Sequence, residues 1–367
     1  MLVDGNGIAD LEAIAGLPEK EVSLGKALLL ASSIGEKDLY GISVDPSGIE
    51  EKIEGLVARV RPSLKDRSNP RSAVSLLSRF LFVEEGFVYD PAAGNPENYL
   101  PDHVLSRKRG NCLGLTMLYL VLAERLGIPL RGSYVPSHTF VRYEGQGGRI
   151  NIETAEKGVE RADEQYARDF RLAKDRPYLR TLGKKEMIGV YLKSLGAAYS
   201  RNGIEEKAAE LYRAAAEFYP NLPDVHFNMA ISDQKMGRLE EAIAGYRRAI
   251  ALDGDLAAAR DNLAVALAKK GRLAEALVEA RKAVDLDPRN VIARGNLAAI
   301  LCACGKSEDG IREFRKVLEI QPGNVKALAG LAKASYSREK YRDVVEYSDR
   351  DGRAGVRLDD AMPGALE

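Results

Sequence analysis

Cys112 is the residue best placed to carry out covalent chemistry. It is one of three cysteines in 367 residues, and it follows Gly110 and Asn111 at the start of a long apolar run that ends near Gly127. Because Asn is a good N-cap, this spacing predicts a buried helix that starts at Cys112. The helix N-terminus and the basic run at 107–109 both favour thiolate, the nucleophilic form. The alternative role for such a cysteine is that of a small buried hydrophobe.

The segment after this helix changes to alternating periodicity and predicts paired strands. Residues 132–143 supply one or two strands, residues 149–154 supply another, and a glycine-rich turn separates them. Alternation places His138 where it can meet Asn151 or Glu153 on the following strand. A thiol at a helix start, an imidazole on a strand and an acceptor on the next strand are typical of a nucleophile–base–orienter triad. Both Asn151 and Glu153 are candidates for the third role.

Three stretches of this region carry a family resemblance: NYLPDHVLSRKRGNCLGLTMLYLVLAERLGIPL, VPSHTFVRY and INIETAEKG. Together they resemble the transglutaminase-like superfamily, whose core is a papain-like helix and sheet, and within it the SirB-type bacterial branch. The resemblance implies Cys112 as nucleophile and His138 as base. It places Glu153 where the superfamily usually has Asp, with Asn151 as a papain-like fallback.

The same resemblance implies an oxyanion hole that stabilises the negative charge developing on a carbonyl oxygen. The backbone amide of Cys112 would supply one hydrogen bond to that oxygen. A second donor is needed, and the nearby polar residues Asn98, Tyr99 and Asn111 are the candidates.

The C-terminal half is an array of 34-residue repeats. The turn glycines Gly203, Gly237, Gly271 and Gly305 follow this period, as do Ala208, Ala242 and Ala276. This is the tetratricopeptide signature, in which each repeat forms two antiparallel helices. About five repeats are predicted over residues 189–350, the fifth being degenerate at Glu339 and Val344. Residues 351–367 are predicted to be a frayed tail.

An array of this kind presents a concave face suited to a protein or peptide partner. Asn228, Asn262 and Asn296 recur at one helix position and are candidates for contacting that partner, although asparagine there also fits a structural role. Cys302 and Cys304 have no paired ligand set nearby, so no metal site is predicted. No cofactor is expected.

Composition argues against several classes of protein. Lys plus Arg and Asp plus Glu are both 54, so the formal charge is zero and nothing indicates a nucleic-acid partner. Three cysteines do not make a disulfide framework, which fits a reducing compartment. The N-terminus lacks a signal-peptide pattern, and no apolar run reaches the ~18 residues needed to span a bilayer. We therefore expect a soluble, cytoplasmic protein without a membrane partner.

The predicted fold is an α+β papain/transglutaminase-like domain over residues 1–185, mostly helical with a small antiparallel sheet, followed by an all-α tetratricopeptide solenoid over residues 189–350. Residues 163–185 are interpreted as a surface connector. Two functions are open. One is thiol-dependent acyl chemistry of the peptidase or transglutaminase type, by hydrolysis or amine transfer, with repeats that bind a protein substrate. The other is an inactive scaffold that acts as an adaptor through its repeats.

Overall fold

The structure is a computed structural model that describes residues 7–40, 45–64, 69–92, 95–145, 148–172 and 177–336. The chain divides into two compact units, Met1–Ser232 and Asp233–Glu367. The predicted degenerate positions Glu339 and Val344 and the tail 351–367 lie outside the described residues.

Helices precede the sheet in the first unit. Asp45 and Asn69 cap two of them through their side chains, and each is followed by a proline at the first helical position. The helices are α1 (Gly7–Gly16), α2 (Leu24–Tyr40), α3 (Pro46–Val60), α4 (Pro70–Arg79), α5 (Pro101–Arg107) and α6 (Cys112–Leu126).

Helix α6 is the centre of the first unit. The Gly114 amide donates to the Asn111 side chain at 3.0 Å, and the chain leaves the helix at Gly127 with φ 71°. The predicted buried helix starting at Cys112 is therefore confirmed. Residues 113–123 are buried on all sides, because α6 packs against α2, α3, α5 and the sheet. This burial fixes the position of the helix N-terminus.

The main sheet is antiparallel and has five strands. The predicted run 132–143 divides into two strands at the turn Pro136–Ser137. A separate parallel pair, β1 (Val88–Tyr89) and β2 (Arg109–Gly110), precedes α6. The strands of the five-stranded sheet are β3 (Leu130–Val135), β4 (His138–Gly145), β5 (Gly148–Glu153), β6 (Val159–Arg161) and β7 (Thr181–Leu182). They lie side by side in the order β6-β5-β4-β3-β7.

The strand register decides which side chains share a face. Val135 pairs with His138 across the turn, and Arg142 pairs with Asn151. Since side chains alternate along a strand, His138, Arg142, Asn151 and Glu153 point to the same face of the sheet. The predicted sharing of a face is therefore confirmed.

The interpretation of residues 163–185 as a surface connector is wrong. This segment contains helix α7 (Asp163–Asp169) and strand β7, and Tyr166 is 0% exposed. The free energy gained by burying its aromatic rings against the sheet outweighs the preference of the many neighbouring charged residues for solvent. Tyr178, farther along, is also buried.

The helical repeats follow. Gly203, Gly237, Gly271 and Gly305 all have φ between 74° and 77°, the left-handed conformation that a tight turn between helices requires. The tetratricopeptide prediction is confirmed over the described repeats. Their helices are α8 (Lys184–Arg201), α9 (Glu205–Phe218), α10 (Pro223–Lys235), α11 (Leu239–Leu252), α12 (Ala257–Lys269), α13 (Leu273–Leu286), α14 (Val291–Ala303), α15 (Ser307–Ile320) and α16 (Val325–Tyr336).

The first helical pair, α8 and α9, packs into the core of the first unit. Leu195, Tyr199, Leu211 and Tyr212 belong to the same buried cluster as α6, and α8 contacts both α2 and β3. The first compact unit therefore continues to Ser232, whereas the predicted first domain ends at residue 185. Within the described residues, no helix has the length and apolar character needed to cross a bilayer.

We predict that Gly114→Ala destabilises the protein. A Cβ at position 114 would lie 2.3 Å from the Asn98 carbonyl oxygen and 2.9 Å from the Tyr99 Cα, so backbone would have to move. Overpacking of this kind costs ~1–3 kcal/mol of unfolding free energy. Gly55→Ala, in the interior of α3 with only the Arg59 side chain nearby, is the control and should stabilise by ~0.5–1 kcal/mol. Equal effects in urea denaturation would contradict this account.

A second prediction separates the two compact units. Ala208 and Ala242 occupy the same repeat position and are both 0% exposed, but they lie in different units. A leucine at either position should lower unfolding free energy by ~1–3 kcal/mol. We expect Ala208→Leu to alter Cys112 alkylation and Ala242→Leu to leave it nearly unchanged. Equal loss of Cys112 reactivity in both variants would contradict independent units.

Candidate functional site

Cys112, His138 and Glu153 meet at the N-terminal end of α6. Cys112 is half-buried, and its sulfur lies 4.0 Å from the Ser137 carbonyl oxygen in the β3–β4 turn. His138 follows the turn directly, and its Nε2 lies 2.7 Å from Glu153 Oε2. The ring also makes a hydrogen bond with the Cys112 side chain. With Nε2 on Glu153, Nδ1 is the nitrogen left for the sulfur.

The turn between β3 and β4 sets this geometry. It has two residues, Pro136 and Ser137, and the flanking pair Val135 and His138 is in register. Ser137 has φ 65°, a left-handed conformation that is uncommon for a residue with a side chain. Such a conformation persists only where the surrounding structure holds it. The turn thereby brings the Ser137 carbonyl to Cys112 and starts β4 with the imidazole beside the thiol.

Glu153 is held on three sides and is 1% exposed. Its Oε1 accepts from the Ala155 amide at 2.9 Å, and its Oε2 accepts from the Tyr166 hydroxyl at 2.9 Å as well as facing His138. These contacts fix the carboxylate on the imidazole, so the extra methylene of Glu relative to Asp does not prevent the contact.

Asn151, the alternative third residue, lies in a different polar cluster. Its Oδ1 accepts from Arg142 Nε at 2.7 Å, and its Nδ2 donates to the Arg161 carbonyl and to Asp163. Arg142 also pairs with Asp163. The amide of Asn151 is therefore engaged away from His138, and of the two candidates the structure brings Glu153 to the imidazole.

Aromatic side chains from the α7 region cover the imidazole. The rings of His138 and Phe170 stack with centroids 5.4 Å apart and an angle of 18°, and Tyr166 stacks on Phe140 at 4.0 Å. The sequence pattern did not identify Tyr166 or Phe170 as residues of the site. The available signal was their spacing of four residues, which puts two aromatic residues on one side of a helical turn.

The environment favours charge on both thiol and imidazole. Burial raises the pKa of the Cys112 thiol, but the hydrogen bond and positive charge of His138 and the Thr139 amide outweigh it, so the pKa lies below its ordinary value. Burial lowers the pKa of His138, yet its contacts with Cys112 and Glu153 raise that pKa to about 9. The Glu153 carboxyl likewise has a lowered pKa because the hydrogen bond and charge of His138 outweigh burial. The three groups can therefore hold an imidazolium between two anions.

The three residues proposed as second donors of an oxyanion hole all make other hydrogen bonds. The Tyr99 hydroxyl donates to the Ser194 carbonyl at 3.2 Å and is buried in the core. The Asn111 oxygen caps α6. Asn98 is fully buried, with its Nδ2 donating to the Ala92 carbonyl at 3.2 Å. The Cys112 amide, by contrast, has no partner within its own helix, because the first turn lacks preceding carbonyls.

Tyr89 is a further residue of the site that the sequence analysis missed. Strand β1 pairs Tyr89 with Gly110, two residues before Cys112. Burial and the negative charges of Cys112 and Glu153 raise the pKa of its phenol. Tyr89 is 41% exposed. Nothing in the local sequence marks it, since only strand pairing brings it there.

The recurring asparagines of the repeats make contacts inside the array. Asn296 Nδ2 lies 3.0 Å from both carboxylate oxygens of Asp261, and Asn262 makes a hydrogen bond with the Tyr246 hydroxyl. These contacts favour the structural role for the two residues. Asn228 is partly exposed.

The remaining cysteines do not form a metal centre. Cys302 and Cys304 are free, and burial raises the pKa of Cys302. Among the described residues, no group of three or more His, Cys, Asp or Glu side chains is arranged to hold a metal ion.

Models of known families match two separate parts of the chain. Residues 47–177 match the model of the transglutaminase-like superfamily. Residues 234–271 match a TPR repeat model, and residues 257–290 match a tetratricopeptide repeat model.

Two similar proteins have no functional name. Each is called UPF0162 protein and comes from Xylella fastidiosa. The protein of strain Temecula1 is 23% identical over 235 residues, covering 60% of this chain and 80% of its own. The protein of strain 9a5c is 23% identical over 229 residues, covering 58% and 78%.

Solved structures resemble this chain at low identity. PilF of Pseudomonas aeruginosa is 23% identical with a TM-score of 0.44, covering 48% of this chain and 81% of its own. MamA is 19% identical with a TM-score of 0.41, covering 43% and 93%. At these TM-scores the likeness carries no functional argument.

The lowered pKa of the Cys112 thiol predicts how its alkylation rate depends on pH. Thiolate forms at lower pH when the thiol pKa falls, so the rate of alkylation by iodoacetamide should have its midpoint below the free-thiol value of about 8.5. Glu153→Gln removes the charge that supports the imidazolium. We expect that variant to move the midpoint upward and to slow alkylation at pH 6 roughly tenfold.

Glu156→Gln is the matched control, since Glu156 is exposed and pairs with Arg161 instead of His138. Its alkylation profile should match that of the unmodified protein. A midpoint at or above the free-thiol value in the unmodified protein would disprove the coupling of Cys112 to His138.

Proposed function

We propose that this transglutaminase-like, tetratricopeptide-repeat protein catalyses thiol-dependent acyl chemistry on a protein or peptide. Cys112 is the nucleophile, His138 is the base and acid, and Glu153 orients the imidazole. The observation that carries the proposal is the His138 Nε2 to Glu153 Oε2 contact of 2.7 Å beside a thiol at a helix N-terminus. Tetratricopeptide repeats support the binding of a protein or peptide.

The first step forms an acyl-enzyme. The Cys112 thiolate attacks an amide or ester carbonyl, so a sulfur–carbon bond forms and the oxygen takes negative charge. The Cys112 amide donates to that oxygen. The carbon–nitrogen or carbon–oxygen bond then breaks, and the His138 imidazolium gives its proton to the leaving amine or alcohol.

The second step releases the acyl group. Neutral His138 takes a proton from water or from an amine, which attacks the thioester carbonyl and restores the Cys112 thiolate. Water gives hydrolysis and an amine gives transfer. Because Glu153 is buried and accepts three hydrogen bonds, it remains charged and holds the imidazole through both steps.

We infer a cytoplasmic location for this chemistry. All three cysteines are free, and a reactive thiol needs a reducing compartment to stay free of disulfides. The proposal differs from an inert adaptor in one measurable respect. An adaptor needs only its repeats, and its Cys112 would behave as an ordinary thiol.

The test uses the other cysteines as internal controls. A fluorescent iodoacetamide applied at pH 6.5, followed by peptide mapping, should label Cys112 faster than Cys302, whose thiol pKa is raised by burial. Cys112→Ala should abolish the fast phase and His138→Ala should slow it. Labelling at equal rates on all three cysteines would support the adaptor instead.

A second experiment distinguishes hydrolysis from transfer. The protein is incubated with p-nitrophenyl acetate, with and without a fluorescent primary amine. We expect an acetyl group on Cys112 by mass spectrometry and none in Cys112→Ala. Amide product that depends on Cys112 indicates transfer, and acetate alone indicates hydrolysis. Failure to form the acetyl-thioester while iodoacetamide still reacts quickly would contradict acyl chemistry.

A further inference from the structure

A lysine from the first repeat helix lies close to the site. Lys193 belongs to α8, whose apolar face packs against the sheet. Its Nζ donates to the Tyr134 hydroxyl at 3.2 Å and lies 4.8 Å from the centre of the Tyr134 ring. Lys193 is half-buried, and the Tyr134 side chain that it contacts is 4% exposed.

A short path leads from Lys193 to the thiol. Tyr134 precedes Val135, the residue that pairs with His138 across the turn. Its hydroxyl also receives a hydrogen bond from the Ser137 amide. Because the Ser137 carbonyl lies 4.0 Å from the Cys112 sulfur, one two-residue turn separates the ammonium from the nucleophile.

Among the described residues, Lys193 forms no direct ion pair, and its charge reaches Asp224 only through the Tyr134 hydroxyl. Asp224 accepts from the hydroxyls of Tyr134 at 3.1 Å and Tyr178 at 3.2 Å. The contacts of Lys193 Nζ with described residues are both with Tyr134, through its hydroxyl and its ring. Burial lowers the pKa of Lys193, while the charges of Asp224 and Cys112 act in the opposite direction.

Other buried or half-buried cations of this protein form direct ion pairs with carboxylates. Lys184 pairs with Glu124, and Arg142 pairs with Asp163. Arg260 and Arg294 pair with the glutamates 19 residues ahead in their repeats. An ammonium has three N–H donors. Among the described residues, the Tyr134 hydroxyl accepts a hydrogen bond from Lys193. An anion placed there would find donors and positive charge.

We propose that Lys193 forms an anion subsite beside Cys112 that takes a carboxylate of the acyl substrate, either a C-terminal carboxylate or an acidic side chain near the reacting carbonyl. This rests on the proposed acyl chemistry of Cys112. The first repeat would then supply a residue of the site, as well as covering the sheet. A carboxylate there gains a charge-assisted hydrogen bond in a water-poor position.

Two alkylating reagents of similar size test the subsite. Iodoacetate and iodoacetamide both transfer a carbon to sulfur and release iodide, but only iodoacetate carries a carboxylate. We expect Lys193→Met to lower the ratio of the iodoacetate rate to the iodoacetamide rate roughly fivefold. Lys193→Arg should retain most of the ratio. Lys207→Met, which removes the same charge from the exposed side of α9, should leave the ratio unchanged.

The outcomes separate the two proposals. An unchanged ratio in Lys193→Met overturns the subsite, while the iodoacetamide profile with pH reports independently on Cys112 as nucleophile. An equal fall of the ratio in Lys207→Met would also overturn it, because the effect would then come from net charge alone.

A measurement on the unmodified protein covers the case in which Lys193→Met does not fold. Three short acetylated peptides compete with iodoacetamide for Cys112: one with a free C-terminal carboxylate, one with the C-terminus amidated, and one amidated but carrying an aspartate. We expect the peptide with a free C-terminal carboxylate, the peptide with an aspartate, or both to slow alkylation. The peptide that slows it identifies the source of the anion. Equal protection by the neutral peptide, or protection by none, overturns the subsite.

Discussion

The burial of α6 on all sides is the constraint on which the site depends. A helix packed between other helices and the sheet cannot slide or rotate without loss of close packing, so its first residue has a fixed position. Cys112 is that residue. The free backbone amides of the first turn and the positive end of the helix dipole therefore lie at the Cys112 thiol.

The three ionisable groups of the site differ in how deeply they are buried. Glu153 is fixed by hydrogen bonds at the buried end, His138 lies between, and Cys112 lies at the half-buried end. Aromatic rings stack on the imidazole, and their low polarity strengthens these interactions. Helix α8 packs on the sheet and places Lys193 against Tyr134, on the strand that leads into the turn. The first repeat therefore contacts the strand that positions the turn.

Local sequence was enough to determine the start of α6, the alternation of the strands and the repeat period. An Asn cap before an apolar run acts over one helical turn, and alternation acts over a few residues. These features predicted Cys112 at a helix start and His138 on the face of Asn151 and Glu153. The turn glycines at 34-residue spacing likewise predicted the repeats, because each repeat folds mainly on its neighbours.

Only the tertiary structure decided which side chains meet. Glu153 rather than Asn151 faces His138, because Arg142 and Asp163 engage Asn151. Tyr166 donates to Glu153 and stacks on Phe140, because a segment with the composition of a connector folds back on the sheet. The extension of the first compact unit to Ser232 has the same origin. These outcomes depend on contacts between residues far apart in the chain, and no local pattern encodes such contacts.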